Sequence, residues 1–134
     1  MNNESPRLSP PLFAISVAGS LSLILIGVFF ALNHVVAADA YGVPVSGGVD
    51  NTWITSAALR DLAFGCLALT FALLRDRRAM GLCLLFGAII PIGDGIVVIL
   101  NNPSPWKNLQ LHLGGAAVSL VLAVILLRPA GRNE

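Results

Sequence analysis

The chain has 134 residues, 56% of them hydrophobic and only 11% charged, with a formal net charge of +1. A soluble domain carries roughly a quarter charged residues, and a core in so short a chain could not hide this much apolar surface from water. The composition excludes a soluble globular domain and makes the lipid bilayer the expected solvent and partner. With no acidic or basic run, no nucleic-acid partner is expected.

A membrane-spanning helix needs about 20 apolar residues, and four stretches meet that length, at about 12–38, 53–74, 80–100 and 109–127. The first follows a polar start and is closed by the turn-rich residues 41–48. Ala38-Asp-Ala40 has the look of a signal-peptidase site behind Arg7. The apolar stretch before it, however, is about twice the usual 7–15-residue length, so the first span is expected to be retained. Arg75-Asp-Arg-Arg closes the second span, Asn101-Asn-Pro-Ser-Pro the third and Arg128-Pro the fourth. Pro91, with Gly93 and Gly95 beside it, is expected to bend the third span. Gly47-Gly48 belongs to an exposed connecting loop.

The expected fold is all-α, a single four-transmembrane-helix bundle over residues 1–134, because only helices satisfy their backbone within hydrocarbon at this length. Arg7, Arg75, Arg77, Arg78, Arg128 and Arg132 all fall on one side of these spans, and the opposite loops hold only Lys107. The positive-inside rule then places the N- and C-termini in the cytoplasm of a multi-pass cell-membrane protein. Tyr41, Trp53 and Trp106 fall at the other interface, as aromatic belt residues do.

Ionisable groups at membrane depth are costly and mark a site or a structural pairing. Arg60 and Asp61 lie in the second span, Asp94 in the third and His112 in the fourth, with Asn33 and His34 near the end of the first. At 1.5 Å per residue, Asp61 lies about 12 Å in from Trp53 and Asp94 about 9 Å in from Leu100. All these positions fall in the half of the bundle away from the termini. Ala57, Asp61, Gly65, Ala68 and Ala72 share one face of the second span. Gly87, Pro91, Asp94 and Val98 do so on the third, and His112, Gly115, Ser119 and Ala123 on the fourth. Small residues mark close helix approach, so the ionisable groups sit on expected packing faces.

Two readings follow. In the first, the groups form a polar pocket. Asp61, Asp94 and His112 are its candidate catalytic acid/base residues, and Arg60, Asn33 and His34 its ligand-binding residues. In the second they form a buried network that fixes helix register. Arg60 either snorkels outward or turns inward to pair with Asp94. Cys66 and Cys83 form no CxxC pair and read as small buried hydrophobes. No ligand pair has metal-site spacing within one helix, so neither a metal nor a cofactor is expected.

Leu59-Arg-Asp-Leu-Ala-Phe-Gly65, then Pro91-Ile-Gly-Asp94, then His112, resembles a family of small four-helix integral membrane proteins known only as a domain of unknown function. The resemblance runs from Tyr41 into the fourth span. It implies the same span count and singles out Arg60, Asp61, Asp94 and His112, without implying an activity.

The function expected is binding of, or action on, a lipophilic small molecule at a polar site in the outer half. One alternative is a non-catalytic membrane subunit whose charges fix helix packing or partner docking. A second is a proton- or ion-coupled carrier, for which four short helices would form a homo-oligomer. The topology is directly testable in a cysteine-free background. A cysteine at Gly48 should be labelled from outside intact cells, and one at Arg77 only after permeabilisation; the opposite pattern overturns the orientation.

Overall fold

The computed structural model describes residues 7–43 and 52–129; the Gly47-Gly48 loop and Arg132 lie outside them. The described residues form six helices, α1 (Pro10–Leu32), α2 (His34–Tyr41), α3 (Thr52–Leu73), α4 (Arg77–Gly87), α5 (Ile89–Asn101) and α6 (Trp106–Leu127). Four stretches are long and apolar enough to cross a membrane: α1, α3, α4 with α5, and α6. The chain is a small polytopic membrane protein built as an all-helical bundle.

One of the expected spans differs in detail. The first does not run unbroken to residue 38: the helix stops at Leu32, and Asn33 stands between α1 and α2 at φ −132°, ψ 66°. Its side-chain Nδ2 donates to the Phe29 carbonyl at 2.9 Å and its own N–H to Phe30. A short amide side chain that bonds nearby backbone offers the chain an alternative to helix, and here that alternative ends one. The third span is interrupted close to Pro91, where a bend was expected. Pro91 has no N–H to give to the carbonyl of Gly87, and the helix is interrupted at Ala88, between α4 and α5.

Packing follows the bilayer's inverted logic. Because lipid tails are as apolar as leucine, large side chains gain little by turning inward, and small residues let backbones approach. Ala58, Ala68, Ala72, Ala116 and Ala123 are buried, whereas Leu25, Leu59, Leu100, Val118 and Ile99 are exposed around the outside. The tightest seam joins α1 to α3. A Cβ on Gly27 would stand 2.8 Å from the Ala58 carbonyl oxygen, and one on Gly65 would stand 2.9 Å from the Ile24 backbone nitrogen.

The stripe expected on the second span is largely the buried one, through Gly65, Ala68 and Ala72. On the fourth span the buried residues are Leu109, His112, Ala116, Ala123 and Leu126, while Gly115 and Ser119 line a cavity.

At the end of the bundle that carries the termini, the chain ties itself together. Leu8 is 2% exposed, and its N–H donates to the Arg75 carbonyl at 3.1 Å. Asp76 caps α4 by accepting from the N–H groups of Arg78 and Ala79. The Arg77 guanidinium donates to the carbonyls of Ile125 and Arg128 at 2.9 and 3.0 Å, putting a cation on the negative end of α6. The other end is crossed by α2. His34 at its start pairs with Thr55 of α3 at 3.3 Å. At its end Asn108 donates to the carbonyls of Asp39 and Ala40, and Asn102 to that of Gly42. Gly42, at φ 91°, makes the left-handed turn that a side chain would resist.

The α1–α3 seam predicts an asymmetric response to substitution. Gly65→Leu should destabilise the detergent-solubilised protein by about 1–3 kcal/mol, because the backbone of α1 leaves no room. Half-buried Leu69 should tolerate isoleucine almost silently. Equal melting temperatures for Gly65→Leu and Leu69→Ile would show that the seam is not tight.

Candidate functional site

The pairing of the helices leaves space between them. α1 packs along α3, α4 and α5 along α6, and α3 touches α4, while α1 makes no comparably extensive contact with α6 among the described residues. Between these two pairs, under the α2 crossing, lies a cavity of about 290 Å³. Its walls come from every helix, and its polar groups are Asp61, Asp94, His112, Tyr41 and Ser119. That volume is close to the lower end of the range for small-molecule sites, which are mostly apolar with a few converging polar groups.

Arg60 turns inward. Its Nη1 and Nη2 donate to Oδ1 and Oδ2 of Asp94, both at 2.9 Å. This is the two-point fork that guanidinium and carboxylate geometry favours. The same guanidinium also reaches Asp61, less closely, from Nε at 3.3 Å and Nη2 at 3.2 Å, both to Oδ1. The Asp94 side chain is 12% exposed, against 35% for Arg60 and 21% for Asp61. At this depth such exposure faces cavity or hydrocarbon, so it does not bring the screening that water gives a surface pair. One arginine thus holds two carboxylates, and it holds Asp94 the more firmly. Oδ2 of Asp61 makes no hydrogen bond among the described residues, and Asp61 lines the cavity.

His112 is fixed by α2. Its Nε2 lies 3.0 Å from the Tyr41 carbonyl oxygen. A carbonyl only accepts, so Nε2 carries the hydrogen, and in the neutral ring Nδ1 is left as an acceptor. The Tyr41 ring packs edge-on to His112 at 5.0 Å and to Trp53 at 5.2 Å. Its phenol is turned toward Asp94 and Arg60, and burial, then the adjacent Asp94 carboxylate, pushes its pKa up. It is therefore a neutral donor at physiological pH.

The residues singled out in the sequence fall into three groups. Asp61, Asp94 and His112 meet at the cavity. Arg60 stands behind two of them as their counter-charge. Asn33 and His34 are not among its lining residues: Asn33 ends α1 and His34 pairs with Thr55. Tyr41 joins the site instead, although its sequence position marked it as a belt aromatic. The one available signal was the polar Asn33-His34 pair inside an apolar run, where the helix ends and the chain turns across the bundle. Among the described residues no group of three or more His, Cys, Asp or Glu side chains could hold a metal ion.

Residues 20–126 match the family model of DUF4267, a domain of unknown function. No curated protein and no solved structure matches the chain.

The two-point Arg60–Asp94 pair predicts a characteristic mutational pattern. Asp94→Leu leaves a guanidinium without its main partner, a loss that costs about 3–5 kcal/mol in buried pairs. Adding Arg60→Met should recover much of that stability, a coupling that a double-mutant cycle on thermal unfolding will show. Strictly additive effects would show that the pair does not hold the helices.

Proposed function

The chain belongs to the DUF4267 family, and from that premise we propose that it is a cell-membrane protein that receives the polar group of a lipophilic small molecule in its central cavity. The observation that carries this reading is the spare oxygen of Asp61. Arg60 is committed to both oxygens of Asp94, and Asp61 is engaged on one side only. A network serving packing alone would saturate its carboxylates, since a buried acceptor without a partner costs stability. Here the residue that carries the surplus acceptor lines a cavity.

Within that cavity Asp61 is the group placed to take a hydrogen bond or a proton from a bound molecule. His112 offers a second nitrogen, and its ring is held in place by the Tyr41 carbonyl. Such an arrangement suits general acid/base work once a ligand brings a transferable proton within about 3 Å. With the termini in the cytoplasm, the cavity lies toward the outer leaflet. The seam between α1 and α6 then gives a lipophilic molecule a lateral way in from the bilayer.

A packing role is favoured for one part of the cluster. The Arg60–Asp94 fork ties α3 to α5, and it is the feature that the non-catalytic reading explains best. The two roles divide between the carboxylates, with Asp94 as the structural partner and Asp61 as the receiving group.

Isosteric Asp61→Asn separates these roles. It should leave thermal unfolding nearly unchanged while stripping the purified protein of any lipophilic molecule that co-purifies with the native chain, as read by mass spectrometry of organic extracts. Identical extracts from the two proteins would sink the binding reading.

A further inference from the structure

Beside the polar cavity runs a second, almost wholly apolar space of about 480 Å³ between α3 and α4. Phe71 and Ala79 mark its end near the chain termini, and Leu67, Cys83 and Phe86 line its length. From Ala79 to Ile90 it follows the helix for about 16 Å at 1.5 Å per residue. It shares Phe64, Gly87 and Ile90 with the polar cavity. The Phe64 ring lies directly on Gly87, where any added Cβ would strike it, so this ring stands between the two spaces and must turn for a chain to pass.

Together the two spaces have the outline of an amphiphile, with a polar end at Asp61 and an apolar end running along α3 and α4. The charge of the polar end decides what kind. Two carboxylates, Asp61 and Asp94, face one guanidinium, Arg60. The other titratable groups lining the cavity are the Tyr41 phenol and the His112 ring, whose Nε2–H goes to the Tyr41 carbonyl and whose Nδ1 is the remaining ring nitrogen. The carboxylates thus outnumber the guanidinium by one, in a region where a polar group without a partner is costly. An ammonium group offers both the opposite charge and the donors that the free Asp61 oxygen lacks.

We propose that the cavity and the adjoining α3–α4 groove together bind a single-chain primary alkylammonium amphiphile, with its head on Asp61 and its tail lying toward Ala79. This rests on the binding reading above and names the ligand class. The tail gains nothing from leaving water, because the bilayer is already apolar. The groove acts through close packing along its walls, so selectivity for chain length should appear at equal mole fraction in the membrane.

The test uses the full chain in phosphatidylcholine nanodiscs and a dodecylamine carrying a diazirine at the chain terminus. Photolysis should label peptides containing Phe71 or Ala79–Cys83. Unlabelled dodecylamine should suppress this at roughly tenfold lower mole fraction than hexylamine, and dodecanoate should not suppress it. Asp61→Asn should weaken the binding of both amines. Ala79→Phe, which fills the far end of the groove, should remove the advantage of the longer chain and leave hexylamine binding intact.

Labelling along the α1–α6 seam, equal competition by the two amines, or competition by dodecanoate would overturn the proposal. In each of these cases Asp61-dependent binding would still support a ligand site. Binding of neither amine, or binding indifferent to Asp61→Asn, would overturn both readings.

Discussion

The Arg60 guanidinium closes on both oxygens of Asp94 at 2.9 Å, and the arrangement of the site depends on that fork. In hydrocarbon neither charge is tolerable alone, so wherever α3 goes, α5 must present Asp94 at the matching height. The pair fixes the register of the second span against the α5 half of the third. It also draws Asp61 into place, because Arg60 and Asp61 are neighbours on one helix and cannot turn independently. The same arginine then serves two carboxylates unequally, and this inequality leaves a free acceptor on a residue that lines the cavity.

That open space has a packing origin. Membrane helices close on one another through small residues, and the residues of this chain close some seams but not others. Gly27 and Gly65 bring α1 and α3 to backbone contact, and Gly81 lets α4 settle on Leu126 and Leu127 of α6. Between the two pairs stand Phe30, Phe64, Tyr41 and Leu111, which are too bulky for a third such contact and which line the gap. The third span is interrupted at Ala88, between α4 and α5, and α2 crosses the far end, where Asn102, Asn108 and His112 hold its carbonyls. A polar cavity can persist in so small a bundle because its roof is tied by these hydrogen bonds as well as by the packing of Ala37 and Ala38 of α2 on Ile54 of α3.

Much of this was legible in the chain itself, because bilayer thickness converts directly into sequence length. Four apolar runs bounded by arginines and prolines can only be spans, and the cost of burying charge makes Arg60, Asp61, Asp94 and His112 conspicuous in any reading. The faces of α3 and α5 followed from helical spacing, as Gly65, Ala68, Asp94 and Val98 show. On α6 the same spacing took a cavity wall for a packing face. Gly115 and Ser119 are small residues in either setting, and periodicity does not distinguish a neighbour from a void.

The sequence by itself determined the solvent, the number of crossings and the height of each ionisable group, because these depend on hydropathy and a fixed rise per residue. Tertiary structure alone decided which partner Arg60 takes, since its side chain could reach the headgroups or Asp94 with equal ease from the same helix position. It also brought Tyr41 to His112, a contact that exists only because Asn33 ends the first helix and turns the chain across the bundle. Asn33 and His34 were consequently spent on that turn and its anchoring to Thr55. Local spacing fixes which residues share a face of one helix. Which faces meet, and where they fail to, is set by pairing between segments far apart in the chain.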